Sequence, residues 1–284
     1  MKRKQAVYGL LFMVPGLIGF LLFVLIPVLF TVWYAGIDGG GKFHLFGNFV
    51  SLFQSEAFLH ALKNTAFYLV IGSALSLTLA VAIALMLFRL IQRYPKLAAN
   101  LRTCYLIPLV IPSGVCVLFA HILFSDGGFV NRLTGSEIDF LRTAPYTFWI
   151  LVLIYAYKNT GYYIVILLMA FGGIKPEVYD AAKCDGAGVF TTLFRIMIPQ
   201  ITPSAFFLLI ISIVNVFKMN RESYLLFGDY PNDSSYMFQN FIKNNLGNLN
   251  YSRAAAACLF LLVLFSVLVY FLLNLSEKEG GSDD

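Results

Sequence analysis

Six long apolar stretches, separated by short polar connections, limit the folds open to this sequence more than any other feature. A helix needs about 20 mostly apolar residues to cross about 30 Å of hydrocarbon, because lipid offers backbone N–H and C=O groups no partners. The composition agrees, since 59% of the residues are hydrophobic and only 12% are charged. We therefore expect an all-α membrane protein with six transmembrane helices, at residues 7–34, 65–88, 103–124, 147–172, 199–219 and 254–274.

The first stretch follows Lys2, Arg3 and Lys4, a pattern that also begins a cleaved signal peptide. The apolar core of a signal peptide is about 7 to 15 residues long, whereas residues 7–34 contain no charge at all. We therefore expect a retained transmembrane helix.

The distribution of Lys and Arg predicts the orientation. With the N-terminus inside, the cytoplasmic connections carry 11 basic residues in 56 positions, against 7 in the 86 positions of the outer connections. Because basic residues favour the cytoplasmic side, we predict that both termini are cytoplasmic.

Several other classes of protein are disfavoured. The composition is not that of a disordered chain or a soluble enzyme, and the net charge of +5 requires no nucleic-acid partner. The four cysteines show no metal-ligand spacing, so we expect neither a zinc site nor a disulfide framework. Gly36 to Lys42 has the spacing of a phosphate-binding loop, but Phe43 stands where Ser or Thr should hold magnesium. We predict no catalytic residues, no metal site and no cofactor.

The connection between the fourth and fifth stretches has the signals of a short helix. Pro176 suits the first helical position, and Glu177 and Asp180 favour the positive end of the helix dipole. Gly186 can adopt the left-handed conformation that ends a helix. Ala181 and Ala182 leave one side of this helix bare, which suits a partner's cleft. The alternative is a helix that only lies at the membrane surface.

Residues Glu177 to Pro199 resemble the EAA loop of binding-protein-dependent ABC importer permeases. That pattern is Glu-Ala-Ala, a two-residue gap, Asp-Gly-Ala and a longer run to a proline. The positions that match here are Asp180-Ala181-Ala182, Asp185-Gly186-Ala187, Ile196 and Pro199.

The resemblance extends along most of the chain, over about residues 7–274. Tyr157 to Gly161, Phe217-Lys218, and the later positions Glu222, Tyr224 to Leu226 and Gly228 are similar to the carbohydrate-uptake branch of that family. So is the beginning of the chain, with Pro15, Pro27 and Asn64-Thr65.

The resemblance implies a type I importer fold in which this loop forms a coupling helix and docks in a groove of a separate ATPase. One departure is that Asp180 stands where the family usually has Glu, which leaves a salt bridge from this position in doubt. By this resemblance the docking residues are Glu177, Asp180, Ala181, Ala182, Asp185, Gly186 and Ala187.

The implied protein is a non-catalytic permease subunit of a bacterial cell-membrane importer that moves a sugar or oligosaccharide by alternating access. Its implied partners are a second homologous permease, two cytoplasmic ATPase subunits that bind the ATP, and an extracellular or periplasmic solute-binding protein. The alternatives are the same fold with another solute, such as glycerol phosphate, a polyamine or a peptide, a membrane scaffold without transport, or a secondary transporter. The last would need buried carboxylates, and the predicted spans contain no Asp or Glu.

Polar residues in the fourth and fifth spans are candidates to contact the solute. Lys158 lies near the middle of its span, and a charge in the bilayer is costly unless it has a function or a partner. Aromatic rings and amide groups suit a sugar, whose C–H faces pack on rings while its hydroxyls form hydrogen bonds. The alternative is that Lys158 pairs inside the bundle. The candidate pathway residues are Tyr155, Tyr157, Lys158, Asn159, Tyr162 and Asn215.

The sequence also predicts a functional division of the chain. Residues 1–64 hold the N-terminus, the first span and an outer loop, residues 65–274 hold a five-helix permease core with the EAA-type loop at 175–199, and residues 275–284 form a cytoplasmic tail. The outer connection at 220–253 is longer than a simple link requires, so we expect it to contact the binding protein or to gate the pathway.

Overall fold

A computed structural model describes residues 2–44, 46–188 and 191–280, and these ranges are almost wholly helical. Val189 and Phe190, the first two residues of the predicted short segment Val189 to Ile198, lie outside the described residues. Residues 281–284 of the predicted tail also lie outside them. The α-helices are α1 (Lys2–Phe20), α2 (Ile26–Ala35), α3 (Gly47–Phe53), α4 (Glu56–Arg93), α5 (Pro95–Val110), α6 (Ser113–Phe124), α7 (Phe129–Thr134), α8 (Tyr146–Gly172), α9 (Pro176–Cys184), α10 (Ile198–Lys218), α11 (Asn220–Phe227), α12 (Phe238–Gly247) and α13 (Tyr251–Gly280).

Six helical stretches in the described part of the chain are long and apolar enough to cross a bilayer, which confirms the all-α, six-span prediction. The protein is therefore a multi-pass membrane protein. The six stretches are Leu11–Ala35, Glu56–Ile91, Ser113–Thr134, Tyr146–Gly172, Leu193–Phe227 and Tyr251–Ser276.

The described residues include two wide helical turns of the π type, each ending two positions before a proline. Leu21–Leu25 precedes Pro27, and Thr192–Met197 precedes Pro199. Proline has no N–H to donate and its ring crowds the carbonyl four residues earlier, so the usual helical bond cannot form there. A turn with one extra residue accommodates that missing bond without ending the helix.

The third predicted span, at 103–124, is divided in the structure. The backbone is extended at Ile111 and Pro112, so α5 ends at Val110 and α6 begins at Ser113. The cause is Pro112, which disfavours the helical conformation in the residue before it. A polar side chain, Ser113, thereby comes to stand at the first position of a new helix.

The fifth span is longer than predicted, and this corrects the expectation that the spans lack carboxylates. After α10 ends at Lys218 the chain continues into α11, so the apolar stretch reaches Phe227 and includes Glu222. Glu222 is only 2% exposed. Sequence hydropathy places the end of the span at residue 219, because an unpaired carboxylate would be costly in lipid. In the structure the Glu222 carboxylate is paired with Lys158.

The chain divides into two compact units, of which one comprises residues 1–59 and 241–266. It contains T-shaped contacts among the rings of Phe53, Phe58, Phe241 and Phe260, of which Phe58 and Phe241 are buried. The first span in this unit presents its apolar side chains outward, with Phe12 86% exposed, as expected of a helix in contact with lipid.

The other unit comprises residues 60–240 and 267–284, and α8 is its central helix. Two thirds of the α8 span is buried, against 28% or less of each other candidate span. Helix α8 packs against α5 and α10. Two clusters of buried apolar side chains form the core of this unit, and α4, α8 and α10 contribute residues to both. The functional division of the chain at residue 64 stays a prediction.

Helices α5 and α8 approach so closely that only glycine fits at the crossing. A Cβ atom added to Gly161 would overlap the carbonyl oxygen of Tyr105. Small residues allow such close approach between membrane helices, where van der Waals packing drives association.

Candidate functional site

Helix α9 forms where the sequence predicted a short helix. It begins at Pro176, with Glu177 in its first turn. It ends at Cys184, and the expected left-handed glycine follows at Gly186, with a φ of 68°. The N–H of Ala187 donates to the carbonyl of Ala182 at 2.9 Å. This bond closes a Schellman-type terminus, which satisfies a carbonyl that the helix itself leaves without a partner.

Helix α9 has one exposed face and one inner face. Glu177, Asp180, Ala181 and Cys184 are exposed and recur at the three- and four-residue spacing of a single helical face. The exposed face is therefore acidic and small. The turn that follows adds two more exposed predicted docking residues, Asp185 and Gly186, whereas Ala187 is half-buried.

The structure corrects the prediction that both alanines leave one side of α9 bare. Ala181 is exposed, but Ala182 is only 4% exposed and lies on the inner face. Neighbouring residues in a helix are about 100° apart, so the two alanines cannot share one narrow face. Among the predicted docking residues, Ala182 thus packs inside the protein.

The inner face of α9 is anchored by aromatic rings. The Tyr179 ring centre lies 6.0 Å from that of Phe88 in α4, and the Phe88 ring centre lies 5.7 Å from that of Phe171 in α8. Val178 packs against the same cluster. The Tyr179 hydroxyl is buried without a hydrogen-bond partner, and burial raises the pKa of this group above its usual value. The exposed face of α9 is therefore joined to two membrane helices.

Lys158, the central basic residue of the fourth span, pairs inside the bundle. Its Nζ atom donates to Oε1 of Glu222 in α11 and lies 3.4 Å from Oγ of Ser113 in α6. Ser113 Oγ donates to the same Glu222 oxygen at 2.6 Å. Three helices thus contribute to one largely buried polar cluster, which the break at Pro112 makes possible by placing Ser113 at the start of a helix.

Tyr155 belongs to a different polar chain in the core. Its hydroxyl lies 2.6 Å from Oγ of Ser212 and 3.1 Å from the hydroxyl of Tyr163. Ser212 Oγ in turn donates to Ser73 Oγ at 2.6 Å. These hydrogen bonds join α4, α8 and α10. Each one gives a buried hydroxyl group a partner, without which its burial would be costly.

The remaining predicted pathway residues differ in how deeply they are buried. Asn159 is buried, and its Oδ1 accepts a hydrogen bond from Asn215 Nδ2 at 2.9 Å. Tyr162 is half-buried with its ring 6.1 Å from that of Tyr163, whereas Tyr157 is 52% exposed. The structure therefore brings Lys158 to Glu222 and Asn159 to Asn215 without gathering all six predicted residues. Their contact with a solute stays a prediction.

The residues that sequence reasoning missed are the partners of the predicted ones. The sequence points to Glu222 only through the family resemblance, and it gives no indication of Ser113, Ser73 or Ser212. A carboxylate four residues after Lys218 and close to an apolar stretch was an available signal for Glu222. The serines carry no signal in one sequence, because an isolated serine is common in membrane helices.

The outer connection after α11 is fixed to the outer ends of two spans. Asn64 Nδ2 in α4 donates to the carbonyl of Tyr236 at 3.0 Å, and His60 Nε2 lies 2.7 Å from the carbonyl of Asp233. Thr147 Oγ1 in α8 donates to Asn232 Oδ1 at 2.8 Å. This segment is a structured cap on α4 and α8, and its contact with a binding protein stays a prediction.

Within the described residues, no three His, Cys, Asp or Glu side chains come together as metal ligands would.

Comparison with known proteins gives a consistent result. Residues 77–279 match the model of the family described as binding-protein-dependent transport system inner membrane component. The polygalacturonan/rhamnogalacturonan transport system permease protein YteP of Bacillus subtilis is 27% identical over 98% of this chain and 90% of its own length. The lactose transport system permease protein LacF of Rhizobium radiobacter is 30% identical over 79% of this chain and 77% of its own.

The fold is similar to that of a chain in a solved structure of the bacterial alginate ABC transporter in complex with an alginate pentasaccharide-bound periplasmic protein. The TM-score is 0.83 with 25% sequence identity, and the match covers 98% of this chain and 96% of the other. The six-span architecture is thus a known one.

Proposed function

Because the chain belongs to the family of binding-protein-dependent transport system inner membrane components, we propose that it is the permease subunit of an ATP-driven importer of a saccharide. The solute is delivered from outside by a solute-binding protein. ATP is bound and hydrolysed by two cytoplasmic subunits, and a second permease completes the pathway. Both termini of this chain lie in the cytoplasm.

The observation that carries the coupling role is the two-sided construction of α9. Its outer face offers Glu177, Asp180 and Ala181 to a partner, while Tyr179 joins its inner face to α4 and α8 through Phe88 and Phe171. A small, acidic face allows close approach to a groove lined by basic groups. Movement of such a groove then moves the ends of two spans, because the packed rings transmit displacement as one body.

The proposed solute class rests on the relatives. YteP is a polygalacturonan/rhamnogalacturonan permease and LacF a lactose permease, and the similar solved structure is that of an alginate transporter. All three names refer to saccharides. The aromatic and amide side chains of α8 and α10 suit the same class, because rings pack on sugar C–H faces and amides bond to hydroxyls.

The test is purification of this chain with its native partners in mild detergent, followed by an ATPase assay. We expect an ATPase and a second permease to co-purify, and expect a saccharide together with the binding protein to raise hydrolysis. Glycerol phosphate, a polyamine and a peptide serve as control solutes. Stimulation by one of these controls alone would replace the saccharide assignment. A solitary chain that moves solute along an ion gradient in liposomes would overturn the importer assignment.

A further inference from the structure

The carboxylate of Glu222 is buried but only half satisfied. Its Oε1 atom accepts from both Lys158 and Ser113, whereas its Oε2 atom, also buried, has no hydrogen-bond partner. Burying a charged oxygen without a hydrogen-bond partner costs folding free energy, so an unpartnered Oε2 at this position indicates that something other than stability requires it. What Oε2 lacks is a hydrogen-bond donor.

The unsatisfied atoms are concentrated in one short helix. Six buried polar side-chain atoms in the described residues lack a partner, and three belong to α11: Asn220 Oδ1, Glu222 Oε2 and Ser223 Oγ. A fourth, Thr160 Oγ1, lies in α8 two positions after Lys158. Two of these four atoms can only accept hydrogen bonds, and the two hydroxyls can donate or accept. Residues two positions apart in a helix point about 200° apart, so these atoms do not share one face, and of the four only Glu222 Oε2 belongs to the cluster with Lys158 and Ser113. A hydroxyl group of a ligand can supply the hydrogen-bond donor that this oxygen lacks.

The charge balance of this cluster disfavours a second anion. Lys158 carries the positive charge nearest Glu222, and it is already bonded to the carboxylate, so the pair is neutral overall. The other basic side chains beside α11, Lys218 and Arg221, are exposed. A solute carboxylate at Oε2 would meet a like charge with no ammonium group left to compensate it, and such contacts are strongly unfavourable when buried.

Resting on the proposed function, we propose that Glu222 is a specificity-determining residue of this permease. With Lys158 and Ser113 it forms a neutral cluster that accepts hydrogen bonds from the hydroxyl groups of an uncharged saccharide and disfavours a saccharide that bears carboxylates. The solute of this permease is thus proposed to be a saccharide like those of the relatives, but without the acidic groups of alginate. Access is through the lysine side of the pair, where Lys158 is 18% exposed and Ser113 is half-buried.

The experiment compares two matched probes on the purified complex without its binding protein, so that delivery does not set the preference. The probes are galactotriose and trigalacturonate of the same linkage, which differ in the carboxylates at C6. Equilibrium binding of each labelled probe is measured for the native complex, for Glu222→Gln, for Lys158→Met and for the double variant.

The two single variants should shift the preference in opposite directions. Glu222→Gln leaves an unpaired ammonium group, so the ratio of galactotriose to trigalacturonate affinity should fall by about tenfold or more, as expected of a charge-assisted hydrogen bond. Lys158→Met leaves an unpaired carboxylate, so the same ratio should rise. The double variant restores neutrality, and its ratio should return toward that of the native complex.

The outcomes separate the two proposals. If galactotriose binds and all four ratios agree, the specificity role of Glu222 is overturned while saccharide import stands. If the single variants shift the ratio in the same direction, the effect is structural damage, and the specificity role is again overturned. If neither probe binds and no saccharide stimulates the native complex, saccharide import fails and the specificity role fails with it.

Discussion

The ring of Tyr179 lies 6.0 Å from the ring of Phe88 at a tilt of 34°. This contact connects α9, which lies outside the membrane spans, to the end of α4, and the Phe88–Phe171 contact extends it to α8. We therefore expect the polar face and the aromatic face of the same short helix to have separable roles. Substitutions on the inner face should affect coupling without removing the surface that a partner binds.

Tyr179→Ala should uncouple ATP hydrolysis from solute. Loss of the half-buried ring removes about 1–3 kcal/mol of packing between α9 and the spans, but the exposed face keeps its residues. We expect the ATPase subunits still to co-purify while solute-stimulated hydrolysis falls several-fold.

The matched control is Tyr179→Phe, which keeps the ring and removes only the unpartnered hydroxyl. Its coupled ATPase rate should equal that of the native complex. Full stimulation of the alanine variant would show that the ring contact does not transmit the movement.

Gly186→Val should also reduce coupled hydrolysis. The φ of 68° at Gly186 costs a side-chain-bearing residue about 1–2 kcal/mol, and a β-branched side chain is the least tolerant. The end of α9 should therefore fray or shift, while docking of the binding protein on the opposite side is unaffected. Gly186→Asn is the control, because asparagine tolerates the left-handed conformation.

Gly161→Ala should destabilise the protein. Its methyl group would meet the carbonyl oxygen of Tyr105, and forcing apart two packed helices costs about 1–3 kcal/mol. Gly172→Ala in the same helix is the control, since no heavy atom lies within 4 Å of its added Cβ. We expect a lower unfolding temperature in detergent for the first variant alone, and equal temperatures for both would contradict the close crossing.

Lys158→Met should destabilise the protein more than the double variant Lys158→Met/Glu222→Gln. The single change leaves a carboxylate that is 2% exposed without its ammonium partner, a loss of about 3–5 kcal/mol, whereas the double change removes both charges. A double-mutant cycle on unfolding temperature measures the coupling, and additive effects would show that the pair is not formed. If Lys158 lines the pathway, the single variant also changes transport affinity.

The native cysteine Cys184 offers a test of orientation. It is exposed on α9, so in a variant that retains no other cysteine, expressed without the ATPase subunits that would cover this face, a membrane-impermeant maleimide should label it only after the cells are permeabilised. In the reciprocal variant, a cysteine in place of Tyr230, which is 70% exposed, should be labelled in intact cells. Labelling of Cys184 from outside would reverse the proposed topology.

The sequence predicted those features that depend on neighbouring residues. The six spans follow from the length and polarity of continuous stretches, and α9 follows from Pro176 at its start and Gly186 at its end. The family resemblance is likewise a property of spacing along the chain. Even the break in the third span has a local cause in Pro112.

The features that sequence reasoning missed join residues far apart in the chain. Lys158 and Glu222 are 64 positions apart, and Tyr155 and Ser212 are 57 apart. Hydropathy ended the fifth span before Glu222 because it treats each charge as unpaired. The sequence does not say which side of α9 the spans occupy, so it cannot show that Ala181 is exposed while Ala182 is buried.

The sequence by itself therefore determined that this chain crosses the membrane six times and presents a short acidic helix between its fourth and fifth spans. Only the tertiary structure decided that Lys158 is neutralised by Glu222, that Ala182 faces inward, and that Tyr179 joins α9 to two spans. The physical reason is that span length and helix ends depend on each residue's own polarity and backbone preference. The cost of a buried charge or ring, by contrast, depends on what the folded chain brings within contact distance.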